Sequence, residues 1–239
     1  MEGFNRESRQ SIYFEVAYVM ANEWPSDTMQ RLDFQRLLAE KQLDFPQTNA
    51  GTRNFTFVRT EPSALQVKAA SLGPRVSNIS ISSKRPVHSL DLFSKEAEAA
   101  CDAYRQMWLK QQCQILQTSA RIQHLYSCQD HAFKYLWEER LGQQPEDFHY
   151  LGKRPVLGGG LRLVMPPTKE EAEPVQIEIK IESFFPEARK ILIETSFVWP
   201  QPRLLAKNAK FDPEFRLKRV ERYAVNEVCT FLLRPATDV

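Results

Sequence analysis

The sequence predicts an α+β protein made of two similar halves, each running strand, helix, three antiparallel strands, helix, with sheets backed by helices. Three observations carry this. Short runs alternate apolar with polar residues, longer runs place apolar residues at three- and four-residue steps, and the order of these two periodicities begins again near mid-chain. The halves divide as residues 1–115 and 116–239.

Ile12 to Met20 is the first strand, with Ile12, Phe14, Val16 and Tyr18 alternating against Tyr13, Glu15 and Ala17. Pro25 breaks it and Ser26 caps a helix from Asp27 to Leu43, whose apolar set is Met29, Leu32, Phe34, Leu37 and Leu38. Three meander strands follow within Gly51 to Lys84, marked by Phe55 and Phe57, by Leu65, Val67 and Ala69, and by Val76, Ile79 and Ile81; Gly73-Pro74 is the turn between the last two. From Leu92 to Gln112, Ala97, Ala100, Cys101, Tyr104, Met107 and Trp108 share one helix face.

The second half opens with a short strand, Arg121 to Tyr126. Asp130 then caps a helix bearing Ala132, Phe133, Leu136, Trp137 and Leu141, with Gly142 as the stop. Gly158 to Met165 starts a strand. Val175 to Glu182 alternates strictly, as a half-buried antiparallel strand does, and Lys190 to Trp199 is the next. Asp212-Pro213-Glu214 opens the last helix, with a capping acid, proline at the first position and a stripe of Leu217, Val220, Ala224, Val228 and Phe231. The first strands of the halves begin 107 residues apart, at Ile12 and Ser119, and so do Gly51 and Gly158.

Used twice, this element order resembles the topology of the TATA-binding protein fold; the resemblance implies two similar halves and transfers no function. The strand and helix around Val16 to Leu38, the Leu116 to Leu141 stretch and the final Val225-Asn226-Glu227-Val228-Cys229-Thr230-Phe231 resemble a sporadically distributed family of bacterial proteins of unknown function. Where that family has a stronger arginine and tyrosine motif, this chain has Arg121-Ile122-Gln123-His124-Leu125-Tyr126. The resemblance implies an accessory system such as phage defence, and no activity.

Composition narrows the classes. Hydrophobic residues at 42% and charged residues at 26% are those of a folded globular chain. The net charge is +2, spread evenly over both halves, so neither half is a polybasic arm committed to a polyanion. No apolar run is long enough for a membrane helix, and Met1 to Gln10 is charged rather than signal-like, so the expectation is a cytoplasmic protein with no membrane partner. Cys101, Cys113, Cys128 and Cys229 are too few and too scattered for a disulfide framework and are expected as reduced thiols.

Catalytic and cofactor signatures are missing. Gly158-Gly159-Gly160 runs into the strand-like Leu161-Arg162-Leu163-Val164, whereas a phosphate loop leads into a helix. Cys128 and His131 lack a Cys-x-x-Cys partner, so no metal and no cofactor is expected. Glu138 and Glu139 are adjacent on a helix and point apart. No nucleophile elbow or His-Glu-x-x-His helix occurs, and no catalytic residue is assigned; an unfamiliar site around Arg121, His124 and His131 is the enzymatic alternative.

The leading expectation is therefore a non-enzymatic adaptor or regulatory subunit that binds a protein partner through sheet faces or loops. The alternative is a nucleic-acid-binding protein. Arg203, Lys207, Lys210, Arg216, Lys218, Arg219 and Arg222 outnumber Asp212, Glu214 and Glu221, with Phe211, Phe215 and Tyr223 interleaved, a pattern suited to phosphates and bases. The outer face of the first-half sheet adds Gln66, Lys68, Asn78, Ser80, Ser82 and Lys84, of which Lys68 and Lys84 are the charged members. Between Lys169 and Glu194, seven glutamates form an acidic strip expected to repel a polyanion from the second-half sheet.

Overall fold

The computed structural model describes residues 3–22, 28–109, 112–144, 146–148, 154–207 and 209–233. The Pro25 stop, the Ser26 cap and the Met29 side chain lie outside the described residues. The chain begins with β1 (Phe4–Ala21) and α1 (Thr28–Glu40), continues through β2 (Gln47–Gly51), β3 (Asn54–Arg59), β4 (Leu65–Gly73) and β5 (Val76–Lys84), and closes the first half with α2 (Leu90–Trp108). Next come β6 (Cys113–Cys128) and α3 (Ala132–Lys134), which runs into a π-helical turn at Tyr135–Arg140. Then follow β7 (Gly160–Met165), β8 (Gln176–Ser183), β9 (Lys190–Trp199) and the short β10 (Arg203–Leu205). The last helical stretch is α4 (Pro213–Tyr223), a second π-helical turn (Ala224–Val228) and α5 (Cys229–Leu233).

Four strands rather than three separate α1 from α2. The additional one, β2, sits at the sheet edge with nearly every residue exposed, so it carries no apolar alternation to betray it. β1 and β6 extend well beyond their alternating cores, and a bulge between Asn5 and Gln10 interrupts the β1–β6 pairing. Asp130 and Asp212, expected as caps, make no capping bond: His131 precedes α3, and the Asp212 carboxylate is taken by arginines. Ser89 does cap α2, its Oγ accepting from the Leu92 N–H at 3.3 Å. Gly142 stops its helix with φ +66, the left-handed position glycine adopts without a Cβ penalty.

All strands join one antiparallel sheet in the order β2-β3-β4-β5-β1-β6-β9-β8-β7, with β10 paired to β6. The halves thus share a sheet instead of building separate ones. β1 and β6 lie side by side at its centre, Tyr13 opposite Gln123 and Val16 opposite Ala120, so the boundary expected at residue 115 passes through β6. From β1 the sheet continues outward through β5, β4 and β3; from β6 it continues through β9, β8 and β7, with the same pattern of return.

Side chains alternate across this sheet, and burial separates its two faces. Phe14, Val16, Tyr18, Val67, Ile79, Ile81, Ala120, Ile122 and Phe197 are buried under α1, α2 and α4. Phe34 of α1 packs its ring against Phe57, Tyr104 and Trp108, which docks α1 on both the sheet and α2. A second cluster, with Phe4, Tyr126, Tyr135, Ile179, Ile181, Ile193, Val228 and Leu232, lies under α3 and the C-terminal turns. The alternate residues, among them Tyr13, Glu15, Ala17, Ser80, Ser82, Ser119, Arg121, Gln123, Ser196 and Lys180, form the opposite face and remain half-exposed.

Candidate functional site

That opposite face carries a continuous series of paired charges. Neighbouring strands place Val58, Gln66, Ser82, Glu15, Arg121, Ser196, Glu178 and Val164 in one row, and Lys84, Tyr13, Gln123, Glu194, Lys180 and Arg162 in the next. Within and between these rows opposite charges pair. Arg121 Nε donates to Glu15 at 3.0 Å, the Arg121 guanidinium lies 5.0 Å from the Tyr13 ring centre, and its Nη1 is 4.0 Å from Glu194. Lys180 donates to Glu194 at 2.7 Å and lies 3.5 Å from Glu178, to which Arg162 Nε donates at 2.8 Å. The ladder Glu15, Arg121, Glu194, Lys180, Glu178, Arg162 therefore crosses five strands and sums to zero charge.

Burial opposes ionisation of Glu194, yet hydrogen bonds from Lys180 and Gln123 and the charges of Lys180 and Arg121 outweigh it, leaving its carboxyl below the ordinary value. For Arg121, burial works against the cation, and the Glu15 carboxylate reverses the balance and raises its pKa. The acidic strip expected on the second-half sheet is thus neutralised at Glu178 and Glu194 by cations from neighbouring strands. Alternation marks Glu15, Glu178 and Lys180 as outward-facing; their partners depend on register, which the sequence does not spell out.

The first-half outer face gathers Gln66, Lys68, Asn78, Ser80, Ser82 and Lys84 as expected from alternation. Lys68 and Lys84 are exposed, and among the described residues neither meets a carboxylate.

The basic segment fares differently. Arg216 is 3% exposed, its Nη2 held by Glu173 at 2.6 Å and Asp212 at 2.8 Å and its guanidinium stacked 4.4 Å from the Trp199 ring. It cannot reach a phosphate, because its donors point into the protein. Arg203 pairs with Asp212, Arg219 with Glu173, Lys210 with Glu98, and Lys218 with Asp91 and Glu214. Lys207 and Arg222 are exposed and have no carboxylate partner among the described residues. Arg222 lines an open groove of about 790 Å³ with Arg9, Asp91, Glu214, Lys218, Arg219 and Glu221, a wall of nearly balanced charge. Of the interleaved aromatics, Phe211 is buried against Tyr18, and Phe215 is exposed.

Arg121, His124 and His131 do not converge. Three residues apart on a strand means opposite faces, so Arg121 points outward and His124 into the core, while His131 is exposed beyond the end of β6. His124 is fully buried, both ring nitrogens without a hydrogen-bond partner among the described residues, and burial, with the nearby Arg9 charge, depresses its pKa to about 3. All four cysteines are free and buried; burial raises the thiol pKa of each, that of Cys128 to about 12. Among the described residues no three histidine, cysteine or acidic side chains gather as metal ligands, and no helix is long and apolar enough to cross a membrane.

Comparison of the sequence with protein-family models and with curated proteins finds no match to either.

Proposed function

We propose that this protein is a non-enzymatic interaction or regulatory subunit that docks a protein partner on the uncovered face of its central sheet. The observation that carries the reading is the charge ladder from Glu15 to Arg162, which is already neutralised within the sheet. A polyanion binds by displacing counterions from unpaired cations, and this face offers few. A protein partner instead docks on a surface whose centre is poor in unpaired charge, and between the paired ions this face presents the uncharged Tyr13, Ala17, Ser80, Ser119 and Ser196. From the family resemblance we place the assembly in a bacterial accessory system, of which phage defence is one form. The shared order of return in β1-β5-β4-β3 and β6-β9-β8-β7 supports an internal duplication with the TATA-binding-protein-like element order.

The test is partner capture from a lysate of the native host with the wild-type chain and with a folded Ala17→Arg, Ser119→Arg variant, whose long cations stand up from the middle of the face. The variant is expected to lose the partner. Equal capture by both proteins removes the sheet face from the mechanism. Fluorescence anisotropy with DNA and RNA, at roughly 50 and 200 mM salt, separates the alternative, since a steep salt-dependent loss of binding assigns the protein to nucleic acid.

A further inference from the structure

The β7 edge and the core-facing side of β7, away from the open sheet face, form a separate surface. Among the described residues β7 pairs with β8 alone, so the backbone N–H and C=O groups along its free side have no strand to bond. Tyr223, Glu227, Val228 and Phe231, from the end of α4 through the second π-helical turn into α5, line a pocket with Leu163 and Met165 of this strand. Tyr223 OH reaches Met165 Sδ at 3.7 Å at one end. Between strand and helix is a half-open apolar pocket of about 180 Å³. Ile179, Ile181 and Val228 form its floor, and Leu163 and Phe231 its walls, the latter two 37% and 41% exposed.

The pocket has one ionisable group on its lining besides the Tyr223 phenol. Glu227 is exposed and has no cationic partner among the described residues. An engineered cavity of roughly 150 Å³ holds a benzene ring, so this pocket has room for a single side chain. A free strand edge beside a helix, with a one-side-chain pocket between them, is the arrangement used for β-strand addition, in which backbone bonds give affinity and the pocket gives specificity.

We propose that an extended segment of a partner protein adds to the β7 edge and inserts a lysine or arginine side chain into this pocket. Its methylenes lie on Ile179, Ile181 and Val228 and its cation meets Glu227. Charge complementarity selects this occupant over a second copy of the chain. Arg162, the cation of β7, faces the outer surface and is bonded to Glu178, so a second β7 brings Leu161, Leu163 and Met165 to the pocket and leaves Glu227 unneutralised.

The probes are fluorescein-labelled nonapeptides of alternating valine and threonine with a central lysine or arginine, read by anisotropy against the full chain. At least one cationic peptide is expected to bind. Replacing its central residue by glutamate, or using Glu227→Gln protein, weakens binding about tenfold, the size of one charge-assisted contact. N-methylation of alternate backbone amides abolishes it. The inference is overturned if neither cationic peptide binds, if the glutamate peptide binds equally, or if N-methylation has no effect. It is also overturned if sedimentation velocity shows a dimer that Glu227→Gln leaves intact and the peptides fail to dissociate. The Ala17→Arg, Ser119→Arg variant retains peptide binding, which keeps this site distinguishable from the sheet-face proposal.

Discussion

Acid stability isolates a single side chain. The unfolded chain takes up a proton on His124 near pH 6.5, whereas the folded chain refuses it until about pH 3. The unfolded state therefore binds more protons between these values. His124's contribution is complete above pH 6.5 and is lost as pH falls toward 3. At pH 4 the unfolded imidazole is about 2.5 units below its pKa while the folded one is still neutral. At 1.36 kcal/mol per unit, and less the small part already titrated at pH 7, the loss from pH 7 to pH 4 is about 3 kcal/mol. His124 is fully buried, so solvent does not screen the effect.

His124→Leu removes the titration and the two unpartnered ring nitrogens while keeping similar volume. Urea unfolding of both proteins from pH 7 to pH 4 supplies the comparison. At pH 7 the variant is expected to be as stable as wild type or up to about 2 kcal/mol more so, because two buried ring nitrogens without partners cost desolvation that an apolar side chain does not. At pH 4 it is expected to be the more stable by about 3 kcal/mol relative to that starting difference. Parallel stability profiles for the two proteins refute the reasoning, for the imidazole is then protonated or solvated in the folded state.

Arg216→Ala removes the cation shared by Asp212 and Glu173 and uncovers Trp199; since Arg203 still pairs with Asp212 and Arg219 with Glu173, the expected cost is about 2 kcal/mol in urea unfolding. Arg216→Lys is expected to recover less than half of this, because an ammonium neither bridges two carboxylates in a plane nor stacks on indole. Gly160→Ala drives a Cβ into the Ile181 carbonyl and is expected to break the β7–β8 pairing locally, seen as faster amide exchange in both strands with the first-half core unchanged. The four buried thiols are expected to react with a disulfide reagent in native buffer at the rate of global unfolding, and a fast-reacting thiol contradicts their burial.

The order of strands and helices was legible because burial on one face writes a period into the chain. Phe14, Val16 and Tyr18 announce β1, and Ala97, Ala100, Cys101 and Tyr104 announce α2, each from residues within a few positions of one another. Strand β2 was not legible, since an exposed edge strand buries nothing and leaves no period. The same local rule separates Arg121 from His124, three positions apart on β6 and hence on opposite faces, although proximity in sequence groups them as one candidate site.

Local periodicity carries the α+β class, most of the element order and which residues of each strand share a face. Long-range packing alone makes the two halves share one sheet, lets Glu15, Arg121, Glu194, Lys180, Glu178 and Arg162 neutralise one another, and buries Arg216. The difference is one of range. Periodicity is set by each residue's own neighbours along the chain, whereas ion pairs and shared edges depend on register between segments as far apart as Glu15 and Arg121, fixed only when the cores beneath them close.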